Sequence, residues 1–569
     1  VTTILRHLLP LALWLQLAAP ALASPGAAPS AAACADNAGE QQLKARELAL
    51  LGGAHAEEHA RARRHRCRVL QGIEADPPPP TALTGATPAP ALAGQWSEPF
   101  VIPVVGISAV LLNDGKVLFW SYDPAHYYDP DASNIGVSYL WDPATRTGKP
   151  LPAPENIWCG GQTILADGRV FIAGGNLRFP DPDAPEGQRG YEGDASTYIY
   201  DPPSATFVKQ MEMMRGRWYP TVTQLADNSA IITSGWDETG SERVNELVER
   251  FVASADRGGV GRIGIVSIKS LPGLYPFQYL LPSGAMLQAG PERENSYQLD
   301  PVTWSWSRLP GMLYDHIGNA NGISFTDASV TPARQLVTIA GNKRGTPNNE
   351  WLDGYRPGAG WRDFPKWNRQ RHNANTVILP DGALLTVGGN AGGDNYDDTL
   401  FSTELYGRPA SDPGGSWTEA APHSLPAAYH SSAILLPDAT VLLSEDDRTR
   451  TVEAAQQHRV QVYSPPYLFK GPRPTLDAPA VLARGAAFAL RAGAAPGRTI
   501  ASAVLIAPAA VTHGNDMHQR FVRLPLIVDG DGTVATVPES RGLVPPGYYM
   551  LFVVDSAGVP SLAKFVHIG

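Results

Sequence analysis

A turn followed by a short apolar run recurs along most of this chain, and no other feature restricts the fold so strongly. The runs are Lys116–Trp120 after Asp114-Gly115, Arg169–Gly175 after Asp167-Gly168, and Ser229–Gly235 after Asp227-Asn228. Ala285–Gly290 after Ser283-Gly284, Ala383–Gly389 after Asp381-Gly382 and Ala439–Ser444 after Asp438 continue the series, and Arg334–Gly341 is a version without the turn glycine. About seven units thus follow one another at a spacing of roughly 50 to 60 residues, close to the kelch-like period. Segments such as Tyr198-Ile199-Tyr200-Asp201-Pro202 and Tyr297-Gln298-Leu299-Asp300-Pro301 follow several runs and read as outer strands ending in a turn. A four-stranded unit of this length cannot cover both of its faces alone. Stacking about seven units around an axis does so and leaves only short edges. The expected fold is all-β, a seven-bladed β-propeller.

The propeller is expected over residues 91–468, because the repeat stops after Tyr463-Ser464-Pro465-Pro466-Tyr467-Leu468. Residues 469–569 read as short strands between Gly/Pro turns, the size of an immunoglobulin-like β-sandwich. Residues 1–23 read as a signal peptide, with Arg6 and His7 before the apolar Leu8–Leu17 and the small residues Ala21-Leu22-Ala23 after it. That apolar run is too short to span a bilayer. Residues 24–90 read as a short helical arm and a Pro-rich linker. Within the arm, His55-Ala56-Glu57-Glu58-His59 matches a zinc-protease pattern, but the surrounding Arg- and His-rich run makes chance matches easy and no third ligand is evident. Secretion, or release to a periplasm or cell surface, is expected, and there Cys34 and Cys67 could form a disulfide. With 18% charged residues and a net charge of −10, nucleic acid and anionic membrane surfaces are not expected partners. A monomer is expected.

Architecture makes a site of scattered residues. Innermost propeller strands line the axis, so residues at their entrances converge at one end of the channel. Cys159, in Trp158-Cys159-Gly160-Gly161, stands at one such entrance, Tyr219 at a second and Tyr429-His430 at a third. A polar loop, Val511 to Arg520, lies in the C-terminal segment, and a hairpin from a sandwich packed on one face could enter the channel. A leftover thiol in an exported chain points to an intermolecular bond, a reactive group or a modified one. These residue types also fit a pure binding propeller that recognises a glycan or a protein partner, since a fold does not fix a function.

The ordered set Cys159-Gly160-Gly161, Arg215-Gly216-Arg217-Trp218-Tyr219, Tyr429-His430-Ser431, Thr512-His513 and Pro546-Gly547-Tyr548-Tyr549-Met550-Leu551-Phe552 resembles the radical copper oxidases, the galactose oxidase and glyoxal oxidase group. The resemblance spans roughly residues 95 to 569. No N-terminal sugar-binding sandwich of the galactose oxidase kind is seen, which favours the glyoxal oxidase-like branch. The resemblance implies one copper ion held by His430 and His513, by Tyr219 and by the axial phenol of Tyr429; two imidazoles with phenolate oxygens suit Cu(II). It also implies a thioether bond from Cys159 to the ring of Tyr219, giving a self-derived tyrosyl radical cofactor. Tyr429 would be the general base. The implied reaction is two-electron oxidation of a small aldehyde, as its hydrate, or of a primary alcohol, with O2 reduced to H2O2. Galactose oxidase stacks a tryptophan over the cross-linked tyrosine; here Trp236 is displaced by one position, and Trp351 from another blade is the other candidate cover. Arg308 is close to the pocket arginine of galactose oxidase but out of register, so galactose itself is not the expected substrate.

Overall fold

The computed structural model describes residues 88–569 except 127–135, 182–183, 272, 317–320, 344–345, 392–395, 397, 408–411, 449–451 and 530–531, together with residues 41, 44, 45 and 60. The expected signal peptide, most of the arm with its His55–His59 motif, and Cys34 and Cys67 lie outside the described residues.

The repeat folds as seven antiparallel sheets around an axis. Blade 1 runs outward through Ser108–Leu111, Val117–Tyr122, Gly136–Asp142 and Thr147–Pro152. The innermost strands of blades 2 to 6 are Gly161–Ile164, Thr221–Gln224, Phe277–Leu280, Asn321–Asp327 and Asn375–Ile378. Blade 7 begins at Ala433–Leu435 and is closed from the other end of the chain: Gln95–Trp96 and Phe100–Val101 pair with Arg459–Ser464. Inner strands such as Ser108–Leu111 and Thr221–Gln224 are buried throughout, whereas the outermost Thr147–Pro152 and Arg262–Ile268 are mostly exposed. Radial stacking therefore hides the faces that a single sheet would leave wet.

The turn signals have a local cause. In Asp167-Gly168 the carboxylate accepts the Arg169 N–H (3.1 Å), and Gly168 adopts φ 83°. Asp114, Asp227, Asp381 and Asp438 accept the N–H two residues on in the same way. Asp caps the turn and glycine relieves its left-handed residue. Ala439 holds that position at φ 64° without this relief.

A second repeated device fixes the loops that lead into the channel. Glu249, Glu350 and Glu404 sit on the third strands of blades 3, 5 and 6 and are fully buried. Each pairs with a buried cation or imidazole in the preceding loop: Arg217 at 2.7 Å, His316 at 2.7 Å and Arg371 at 2.8 Å. Each also accepts a backbone N–H from that loop, of Met214, Leu313 and Asn368. His316 is thus a strut of the blade 5 entrance.

The C-terminal segment forms two sheets. One contains Thr475–Asp477, Ala487–Gly493, Gly532–Thr536 and Leu526–Asp529; the other contains Val481–Leu482, Lys564–Ile568, Gly547–Asp555, Ile500–Ile506 and Phe521–Arg523. This sandwich extends two inner edges of the propeller. Phe521–Arg523 pairs in parallel with Phe325–Asp327 of blade 5, and Phe325 stacks on Phe521 (4.4 Å between centroids). Ala510–Thr512 pairs antiparallel with Ser108–Val110 of blade 1, which carries the hairpin into the channel. No helix among the described residues is long and apolar enough to cross a membrane.

Candidate metal centre at the channel mouth

Four of the residues singled out from sequence share an uncommon backbone conformation. Cys159 (φ 59°), Tyr219 (65°), His430 (66°) and His513 (52°) are all left-handed. Non-glycine residues seldom adopt this region, and holding one there costs on the order of 1–3 kcal/mol. Cys159 and Tyr219 precede their inner strands by two residues, His430 by three, and His513 occupies the hairpin tip. The left-handed residue turns the chain sharply from loop to strand, and the side chains meet at the channel mouth.

Adjacent entrances are bonded to each other. The Tyr219 N–H donates to the Cys159 carbonyl (2.9 Å), and the Tyr275 N–H donates to the Tyr219 carbonyl (3.0 Å). This places Cys159, Tyr219 and Tyr275 side by side on blades 2, 3 and 4. The close approach explains Gly160-Gly161: a Cβ on Gly160 would meet the Gly174 carbonyl at 2.7 Å, and one on Gly161 the Pro220 carbonyl at 2.7 Å.

The polar atoms converge. The phenol oxygens of Tyr219 and Tyr429 are hydrogen-bonded, and His513 Nε2 lies 2.8 Å from the Tyr219 oxygen. The Cys159 sulfur lies 3.9 Å from His513 Nε2. The ring centroids of His430 and His513 are 4.5 Å apart with their planes at 87°. Ligand atoms of Cys159, His430 and His513 all lie within 4.8 Å of one another, and all three residues are buried. The far nitrogens are pinned: His430 Nδ1 to Asp447 Oδ2 (2.7 Å) and His513 Nδ1 to Thr512 Oγ1 (2.8 Å). Each imidazole therefore offers Nε2 inward, and His430 Nε2 is buried with no hydrogen-bond partner among the described residues. A buried imidazole nitrogen in that state is suited to an ion. The Nε2 atoms of His430 and His513, with two phenol oxygens, fit copper.

Aromatic rings enclose Tyr219. Trp218 stacks on it at 3.7 Å and 12°, and Tyr275 stacks at 4.4 Å and 23°. Trp236 stacks on Trp218 at 4.9 Å, so it joins this group through the other indole. Trp351 does not: it lies on the third strand of blade 5, out from the axis, with its ring against the Arg362 guanidinium. The strand order of the blade corrects that expectation. Tyr275 and Trp218 were not singled out as ring partners from sequence, although Tyr275-Pro276 repeats Tyr219-Pro220 two residues before an inner strand. Burial, with a smaller contribution from Cys159, pushes the Tyr275 phenol far above its ordinary range, so it stays a neutral donor to the Gly160 carbonyl (3.0 Å). His518 contacts Thr163 Oγ1 (3.0 Å), and burial lowers its pKa to about 3, which keeps the channel below the site uncharged there.

Known proteins resemble this chain over most of its length. Residues 473–568 match the family described as galactose oxidase-like, early set domain. An aldehyde oxidase of Vitis pseudoreticulata is 27% identical over 76% of this chain and 85% of its own length, and a galactose oxidase of Gibberella zeae is 23% identical over 86% and 72%. Over most of its length this chain is thus similar to an aldehyde oxidase and a galactose oxidase. A fungal alcohol oxidase solved in complex with copper shares the fold, with a TM-score of 0.69 at 21% identity over 84% of this chain and 99% of that one.

Proposed function

We propose that this chain is an exported copper-radical oxidase. It removes two electrons from a small aldehyde hydrate or a primary alcohol and passes them to O2, which leaves as H2O2. The observation that carries this reading is the meeting of two phenol oxygens, two inward imidazole nitrogens and a thiol at one buried point. A propeller that only binds a partner has no need of that set.

Copper, when bound by His430, His513, Tyr219 and Tyr429, supplies one of the two one-electron stores; the ring of Tyr219 supplies the other. The thioether would form between the Cys159 sulfur and a Tyr219 ring carbon beside the hydroxyl, with two hydrogens lost to an oxidant such as O2. Sulfur on the ring lowers the cost of oxidising the phenol, and the flanking faces of Trp218 and Tyr275 shield it. Tyr429, hydrogen-bonded to Tyr219, is placed to take the substrate hydroxyl proton. The Tyr219 radical then takes a hydrogen atom from the substrate carbon.

Two measurements test this. After copper loading in air, peptide mass spectrometry should find one species joining the Cys159 and Tyr219 peptides, lighter by two hydrogens than their sum. Separate peptides beside bound copper would reject the mechanism. Tyr429→Phe should keep both the cross-link and the radical, yet lower kcat by about 10²–10⁴-fold through loss of the base. An unchanged kcat would assign proton removal elsewhere.

A further inference from the structure

Asp447 follows the second strand of blade 7, Val441–Ser444, in the acidic run Glu445-Asp446-Asp447. Its side chain is fully buried, yet it belongs to no step of the reaction above. Three donors from three blades meet on it. His430 Nδ1 approaches Oδ2 at 2.7 Å, the Tyr122 hydroxyl donates to Oδ2 at 3.1 Å, and the Tyr396 hydroxyl donates to Oδ1 at 2.5 Å. Tyr122 ends the second strand of blade 1, and Tyr396 lies between the second and third strands of blade 6. The Tyr396 ring also stands edge-on to Tyr429, at 6.1 Å and 80°.

We propose that Asp447 is the positioning residue of this centre, an anion that fixes the tautomer and orientation of His430 and links that ligand, through Tyr396, to Tyr429. This rests on the copper reading of the site. Among the described residues both of its oxygens face donors: Tyr122 and His430 at Oδ2 and Tyr396 at Oδ1. As an anion it can only accept, so the proton of His430 sits on Nδ1 and the Nε2 lone pair faces the metal position. Donation to a charged acceptor also raises the basicity of Nε2. The second imidazole is treated differently: His513 Nδ1 meets the neutral Thr512 hydroxyl, which Ser108 supports in turn (3.2 Å). The two imidazoles are therefore unequal donors. His430 is the electron-rich one, held by charge, and His513 is held by a neutral hydroxyl on the inserted hairpin.

An Asp447→Asn variant keeps the volume and removes the charge. Its amide N–H₂ can face His430 Nδ1, which would move the ring proton to Nε2 and aim it at the metal. Copper affinity, read by competition with a chelator of known affinity, should fall by about 10–100-fold. The Cu(II) electron paramagnetic resonance spectrum should change, while the melting temperature of the metal-free protein stays within a few degrees. Thr512→Val, which removes the neutral partner of His513, should weaken copper binding by a smaller factor. An Asp447→Asn affinity within threefold of the parent overturns the proposal. So does a fall in affinity that comes with an unchanged spectrum and a collapse of the metal-free melting temperature, since that describes a strut. Pulsed paramagnetic resonance on the copper-loaded parent protein tests the same point without a variant. The two remote imidazole nitrogens should show unequal quadrupole couplings, and equal couplings overturn the assignment. If the parent protein binds copper no better than His430→Ala does, the copper reading itself fails and takes this inference with it.

Discussion

Replacing Tyr219 by phenylalanine is expected to abolish turnover while leaving the fold intact. The ring would still stack between Trp218 and Tyr275, so its packing survives. The lost atom is the phenol oxygen, which lies between Tyr429 and His513 Nε2. On the proposed reading that oxygen is at once a metal donor and the group whose oxidation supplies the second electron hole. Without it neither a radical nor a two-electron step is available, and peroxide release should drop by at least about four orders of magnitude. Copper should still bind, more weakly, through His430 and His513. Peroxide release together with metal content checks this, and a variant within tenfold of the parent would move the radical to another residue.

Arg371→Ala is expected to give the largest loss of stability. The guanidinium is fully buried, pairs with Glu404 at 2.8 Å and donates to the carbonyls of Gly388 and Ser402. Removing it leaves a buried carboxylate without its counter-charge, and breaking such a pair costs about 3–5 kcal/mol. Two residues earlier, Arg369 pairs with Glu419, but both side chains are about half exposed. Arg369→Ala should therefore cost no more than about 1 kcal/mol. Thermal unfolding of the two variants side by side checks the contrast. Equal shifts would mean that the inner pair is not a strut.

The propeller was legible because its cause is local and repeated. Turns followed by short apolar runs recur at one spacing, and most are capped by an Asp or Ser side chain. Cys159, Tyr219, Tyr429 and His430 were legible for the same reason, since the repeat specifies which positions face the axis. His513 needed the resemblance, because nothing local says that its hairpin pairs with blade 1. Asp447 was not legible: acids after a buried strand are common, and only the approach of Tyr122, Tyr396 and His430 from three blades gives this one a role. Trp351 was misplaced because a sequence run does not show how far a strand lies from the axis. Trp218 was passed over because adjacent residues are not expected to stack; the left-handed turn at Tyr219 goes with the arrangement in which they do.

The closure of blade 7 and the inserted hairpin together impose an order of assembly. Strands at 95–101 have no partner until 459–464 has been made, and the hairpin that carries His513 is later still. A ribosome builds this chain from the N-terminus, so the thiol and both phenols exist long before the hairpin imidazole does. On the proposed reading the oxidant would thus be disarmed by default: a nascent or truncated chain ending before residue 510 would carry Cys159, Tyr219 and Tyr429 but lack His513.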